Sequence, residues 1–454
     1  MKKYKKILAV LLGGAMMASM AACGGGSGGS SGDSSSGESS SGDKISITFW
    51  HAMGGVNGEA TQKLVDDFNA SQDEIEVHAE YQGTYDDTIT KLKAAMQSGN
   101  LPDVCQMYDV GTKFMADSGY IIPVEDMFET TGYEKGTVMD VITSYYSVEG
   151  KQYAMPFNVS TPMLYYNKDV FEKAGLDPET PPATYEEVME YAEKIVESGA
   201  APVGYSQAIY GWFFEQQIAG LGAYYGNNDN GRTSAMTQVD FDQNGAGLKV
   251  FQLWKDLMDS GYCENYGTTT ADTQTAFFSG QVGMIIESTA ILKNAIDSSS
   301  FEVGTGYLPK IEQNEEGGVI IGGASLWEMK TEDEEKQEAA WKFIEYTTTP
   351  EAQAAWSMAT GYFAINPEAY ETEDMKAYIE ENPNFTTAID QLEESPVNNY
   401  TAGVLSGVQT ESRLIFNEII PDLYDGKITP EDGVASLAEQ VNAAVENYNA
   451  SVGE

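Results

Sequence analysis

Residues 45–108 switch repeatedly between strand-like and helix-like spacing of their apolar side chains, and this rhythm constrains the fold more than any other feature of the chain. Segment 45–50 (ISITFW) alternates as a half-buried strand does. Segment 59–69 carries Ala60, Leu64, Val65 and Phe68 at helical spacing, and 75–81 (IEVHAEY) alternates again. Segment 85–97 puts Ile89, Leu92 and Met96 on one side of a helix that ends at Gly99, and 102–108 (PDVCQMY) reads as a third strand. A β-α-β-α-β order predicts an open α/β sheet with right-handed crossovers.

The rhythm resumes after Lys151. Strands are expected at 152–157, 163–166 (MLYY), 281–287 (QVGMIIE) and 319–327 (VIIGGASLW), the last bent at Gly322-Gly323. Thr184 and Glu187 form a capping box for a helix that runs to about 198, and a second long helix lies within 241–260. After Thr331 the pattern is helical, at 335–346, 350–359, 402–423 and 430–448. Two α/β segments are therefore followed by a helical C-terminal region. Chain crossings near 154–166, 286–290 and 321–327 would leave a cleft between two lobes, a preferred place for a ligand.

The N-terminus reads differently. Lys2, Lys3, Lys5 and Lys6 precede an apolar run from 7 to 20 and then Ala21-Ala22-Cys23, the layout of an export signal at 1–22 with a lipid-accepting Cys23. The run is shorter than the ~20 residues a membrane span needs. Residues 24–43 are Gly, Ser and acids, too polar to bury a core, so 23–43 reads as a lipidated cysteine with a flexible tether. Cys105 and Cys263 read as small buried residues.

Charge bounds the partners. The chain of 454 residues carries 25 Lys+Arg against 70 Asp+Glu, a formal charge of −45; loss of the four signal lysines takes it to −49. That excess argues against nucleic acid, whose phosphates need clustered Lys and Arg. It argues equally against attachment through anionic headgroups. It suggests a cationic ligand, although net charge governs solubility and steering more than any one pocket. Only two arginines occur, Arg232 and Arg413.

Recognisable catalytic motifs are lacking. His51 and His78 have no partner at metal-ligand spacing, and outside the low-complexity Gly/Ser tether no GxSxG, Walker A or GxGxxG string occurs. Asn228–Gly231 and Asp242–Gly245 lack the full calcium-loop frame and read as turns. No metal or cofactor is expected. Tyr85 and Tyr362, in glycine-containing turns, are the aromatics best placed for a ligand.

Several strings carry a resemblance: TFWHAM (48–53), GTYDDTITKLKAAMQSGNLPDVCQMYDVGT (83–112), PFNVSTPMLYYNKDVFEKAGLDPETPP (156–182), IIGGASLW (320–327) and TGY (360–362). In these the chain resembles the extracellular solute-binding proteins of ABC importers, and among them the branch that takes glycerol-3-phosphate. The resemblance implies a periplasmic-binding-protein-like (type II) α/β fold with hinge-connected lobes, 44–158 plus 289–322 forming one lobe and 159–288 plus 323–454 the other. It implies that Tyr85 closes over the ligand and that Asp109, where the family has Glu, accepts from glycerol hydroxyls. Ser160, Ser288 and Tyr362 would donate hydroxyls, and Gly323 a backbone N–H. Arg413 would hold a phosphate, and Trp212 lies near a family Trp. The alternative role of Arg413 is a salt bridge, natural in so acidic a chain.

The expected function is capture of glycerol-3-phosphate or a glycerophosphodiester, without catalysis. A monomer, tethered to the outer face of the bacterial cytoplasmic membrane through Cys23, would deliver it to the transmembrane subunits of an ABC permease. One alternative is a neutral sugar or oligosaccharide stacked on Trp50, Trp212 and Trp327. A secreted glycosidase with an acidic pair is another.

Overall fold

The computed structural model describes residues 44–453; the expected signal at 1–22, Cys23 and the tether to 43 lie outside the described residues. Two sheets organise the body. The first is built from β1 (Ile45–His51), β2 (Ile75–Tyr81), β3 (Val104–Tyr108), β4 (Ile121–Ile122), β5 (Met155–Ser160) and β11 (Gly322–Met329). Its order is β2-β1-β3-β11-β4, with β5 also paired to β11. β1 runs parallel to β2 and β3, whereas β11 is antiparallel to β3, β4 and β5. The second sheet contains β6 (Pro162–Asn167), β7 (Val203–Ser206), β8 (Cys263–Glu264), β9 (Val282–Ser288) and β10 (Val303–Gly306), in the order β8-β7-β9-β6-β10.

The N-terminal rhythm is realised as expected. Helix α1 (Gly55–Ser71) buries Leu64, Val65 and Phe68, and α2 (Tyr85–Ser98) buries Ile89, Leu92 and Met96. Thr84 and Asp87 close a capping box at the start of α2, and Gly99 ends it in the left-handed conformation at φ +75°. The expected Thr184–Glu187 box opens α3 (Tyr185–Glu197).

The strands change sheet at Thr161, between β5 and β6, and again between β10 and β11. The segment near 286–290 is not such a change, because β9 and β10 both belong to the second sheet. Strand pairing therefore puts 303–306 beside β6 and 322–329 beside β3, the reverse of the lobe division expected for those two segments. Alternation marks a strand but carries no information about which sheet accepts it.

Two further boundaries differ. Strand β11 starts at 322 rather than 319, since Gln216 of α4 (Gly211–Gly220) bonds Ile320 at both its N–H and its C=O, 2.8 Å each. A side-chain amide there takes the place of a neighbouring strand. Later helices include α5 (Ala246–Asp259), α6 (Glu334–Tyr346), α7 (Pro350–Thr360), α8 (Gln409–Tyr424) and α9 (Pro430–Val452). Helix α8 thus begins seven residues later than the expected 402. The carbonyls of Ala402 and Gly403 are taken instead by Arg232, which also donates to Tyr145 O at 3.1 Å and lies over the Tyr145 ring. The Asn-rich turn beside it is left-handed at Asn228, Asp229 and Asn230, a conformation these side chains tolerate. Asn230 stabilises it by accepting from Tyr225 N–H at 2.7 Å. One of the two arginines is thus a brace between distant backbone segments.

Cys105 and Cys263 are free and buried. No helix among the described residues is long and apolar enough to cross a membrane.

Candidate functional site

A cavity of about 500 Å³ is lined by residues from both sheets and by the C-terminal helices, and it collects all eight residues expected to bind a ligand: Tyr85, Asp109, Ser160, Trp212, Ser288, Gly323, Tyr362 and Arg413. Arg413 lies within α8, and the others stand at or beside an element end or a forced bend. Tyr85 opens α2, stacks on Tyr108 with centroids 5.1 Å apart, and accepts from Asn158 Nδ2 at 2.9 Å. Asp109 opens a 3-10 turn directly after β3. Ser160 ends β5, and Ser288 ends β9, where its Oγ accepts from Ala290 N–H at 3.1 Å. Tyr362 follows α7 and stacks on Trp356, centroids 5.7 Å apart.

Gly323 is a position only glycine can fill. Its φ is +89°, and a Cβ there would fall 1.9 Å from the Asn158 carbonyl oxygen. The close crossing of β5 and β11 at the cavity floor therefore needs a residue without a side chain. Trp212, in the first turn of α4, is buried, and its indole N–H has no hydrogen-bond partner.

Arg413, in α8, lies between two carboxylates. Its Nε donates to Glu215 Oε1 at 2.8 Å, and Nη2 donates to Glu215 Oε2 at 2.6 Å and to Asp109 Oδ2 at 2.9 Å. All three side chains are nearly excluded from solvent, at 4–6% exposure. Gly211 makes the arrangement possible: a Cβ there would lie 2.6 Å from Arg413 Cα, so α4 and α8 approach at backbone distance. Burial opposes the charge on Arg413, but Asp109 and Glu215 outweigh it and hold its pKa well above the ordinary value. Burial raises the Glu215 pKa, and Arg413 counteracts that rise. Glu287, also on the cavity wall, is pushed up to about 7 by burial, against the hydrogen bond it accepts from Gln274 Nε2 at 2.9 Å. The salt bridge weighed as the alternative role of Arg413 is present, and the same side chain lines the cavity.

The stacking platform expected for a neutral sugar is incomplete. Trp327 is fully buried in β11, and Trp50 points its indole N–H at Glu80 on an exposed edge; only Trp212 of that set lines the cavity.

Residues 63–387 match the family described as bacterial extracellular solute-binding protein. The chain belongs to that family. This solute-binding protein is 32% identical over 413 residues to the sn-glycerol-3-phosphate-binding periplasmic protein of Escherichia coli, a match covering 89% of this chain and 94% of the relative. It is likewise 32% identical over 416 residues to the protein of that name from Pectobacterium atrosepticum, covering 89% and 92%. Among solved structures it is similar to the Mycobacterium tuberculosis homologue in complex with glycerophosphocholine (TM-score 0.76, 23% identity, covering 89% and 98%). It is also similar to the cyclic α-maltosyl-1,6-maltose binding protein of Arthrobacter globiformis (TM-score 0.73, 24% identity, covering 89% and 100%). At these identities the two structures show a shared fold, the two-lobed α/β architecture with its helical C-terminal region.

Several cavity residues of the solute-binding protein were not foreseen. Asp86, Tyr108, Tyr210, Gln274, Glu287 and Thr410 line the wall, and Glu215 stands behind Arg413. Tyr108 shows how they cooperate: its hydroxyl bonds both Asp86 at 3.0 Å and Thr410 at 2.5 Å, joining α2 and α8 across the site. One signal was available. Gln409 and Arg413 are four apart on one helix, so they share a face, and both bond Glu215. Glu215 itself had no mark to separate it from the other acids.

Proposed function

We propose that this solute-binding protein captures glycerol-3-phosphate or a glycerophosphodiester between its lobes and delivers it to an ABC permease. The observation that carries the reading is the convergence on one cavity of the eight expected residues, Arg413 among them. A phosphoryl group is held by guanidinium N–H groups together with neutral donors. The hydroxyls of Tyr85, Ser160, Ser288 and Tyr362 and the unpartnered indole N–H of Trp212 supply such donors around it. The names of the curated relatives point the same way. Their bound molecules include glycerol-3-phosphate, and glycerophosphocholine occupies one solved homologue.

The lobes would close about the two sheet-changing segments, at 160–162 and 306–322, and trap the ligand. The cavity binds and releases without making or breaking a bond. The monomeric body hangs from the outer face of the cytoplasmic membrane by a lipid on Cys23, and the Cys23→Ser variant is expected in the culture supernatant rather than the membrane fraction.

Calorimetric titration with glycerol-3-phosphate, glycerophosphocholine and maltose tests the ligand class. Heat is expected with at least one phosphate ligand and none with maltose. A charged hydrogen bond contributes ~1.5–3 kcal/mol, so Arg413→Ala is expected to weaken phosphate binding by about 10- to 150-fold. Unchanged affinity in that variant, or hydrolysed ligand recovered after titration, would overturn the reading.

A further inference from the structure

Glu215 is absent from the cavity lining but bonds a side chain that belongs to it. It lies behind Arg413 and grips the guanidinium through both oxygens, while Gln409 Nε2 donates to the same carboxylate at 2.8 Å. Asp109 takes Nη2 from the other side. One cation thus sits between two buried carboxylates, a net deficit of one positive charge when both are ionised. Asp86 and Glu287 add two more carboxylates to the wall, and no lysine lines the cavity.

Charges buried in this way are poorly screened, so each additional negative charge on a ligand meets strong repulsion. A phosphomonoester with a second pKa near 6 carries close to two negative charges at pH 8. A phosphodiester carries one. The hydrogen bonds of Arg413 to its carboxylates run through Nε and Nη2 and not through Nη1. Only the two N–H groups of Nη1 are left, on a single positive charge already shared by two carboxylates, enough for a singly charged group and insufficient to neutralise a dianion.

We propose that Glu215 sets the charge of this phosphate seat, so that the protein selects singly charged glycerophosphodiesters over the doubly charged glycerol-3-phosphate. The inference rests on the phosphate reading above. Glu215 touches Arg413 and not the ligand, so it is a positioning residue: it orients the guanidinium and contributes its own charge behind it.

The test compares sn-glycerol-3-phosphate with its methyl ester by calorimetry at pH 8. The two ligands differ by one methyl group and one charge. In the unmodified protein the methyl ester is expected to bind at least about tenfold more tightly, and in Glu215→Gln and Glu215→Met that ratio is expected to fall at least about fivefold. A purely structural role for Glu215 would weaken both ligands together and leave the ratio unchanged, and that result would overturn the proposal. Equal or tighter binding of the unmethylated ligand to the unmodified protein would overturn it without any variant. Binding of maltose but of neither phosphate ligand would overturn the phosphate reading itself.

Discussion

Glu328 is fully buried in β11, and neither of its carboxylate oxygens has a hydrogen-bond partner. Burial pushes its pKa up to about 8, against an ordinary value of 4.5. Between those values the folded state holds a proton that the unfolded chain has lost, so stability falls as pH rises. The contribution is complete below the unfolded pKa and is gone once pH passes the folded one. Glu287, at about 7, acts in the same direction over a lower window. The melting temperature is therefore expected to drop as pH rises from 4.5 to about 8 and to show no further loss from these two groups above that. Glu328→Gln is expected to remove much of that drop, restoring on the order of a few kcal/mol at pH 9; a variant whose melting profile parallels the parent's would contradict this. Individual residues differ sharply in how visible they were. Arg413 stood out because arginine is nearly absent. Glu328, Glu287 and Glu215 were hidden among 70 acids, since burial and partners, not residue type, set them apart.

Secondary structure was most legible where local chemistry acts alone. The box at Thr184 is complete, with Glu187 N–H to Thr184 Oγ1 at 3.2 Å and Thr184 N–H to Glu187 Oε2 at 3.3 Å, and Ala183 N–H donates to the same Glu187 oxygen at 2.7 Å. Thr184→Ala is expected to cost about 1 kcal/mol. Denaturant unfolding should show a lower midpoint at unchanged slope. Boundaries failed where a distant side chain intervened. Gln216 occupies the backbone of Ile320 and delays β11, and Arg232 holds the carbonyls of Ala402 and Gly403 and delays α8. Neither partner is within 100 residues of the backbone it captures, so no local window contains the cause.

The acidity of the body has a different meaning at the range of the full molecule. Exposed charges are screened beyond ~8 Å at physiological salt, so they steer approach more than they set affinity. An anionic ligand must arrive against the field. Its association rate is expected to rise with added salt, whereas that of a neutral sugar should stay flat; stopped-flow measurements across a salt series decide. Net charge taken alone suggests a cationic ligand. The cavity modifies it, because an arginine is present but is outnumbered by carboxylates on the same walls. Charge at the surface and charge at the seat then favour the same thing, a ligand with few negative charges.

Periodicity, caps and the strings around 48–53, 83–112, 156–182 and 320–327 were enough for the α/β class, most elements, and the eight residues that meet in one cavity, because each of these rests on local pattern or on a whole run of residues. Folding alone assigned β10 and β11 to their sheets, brought Glu215 and Asp109 onto either side of Arg413, and left Glu328 without a partner. Those outcomes depend on contacts between segments as much as 304 positions apart, and on the low dielectric that such contacts create.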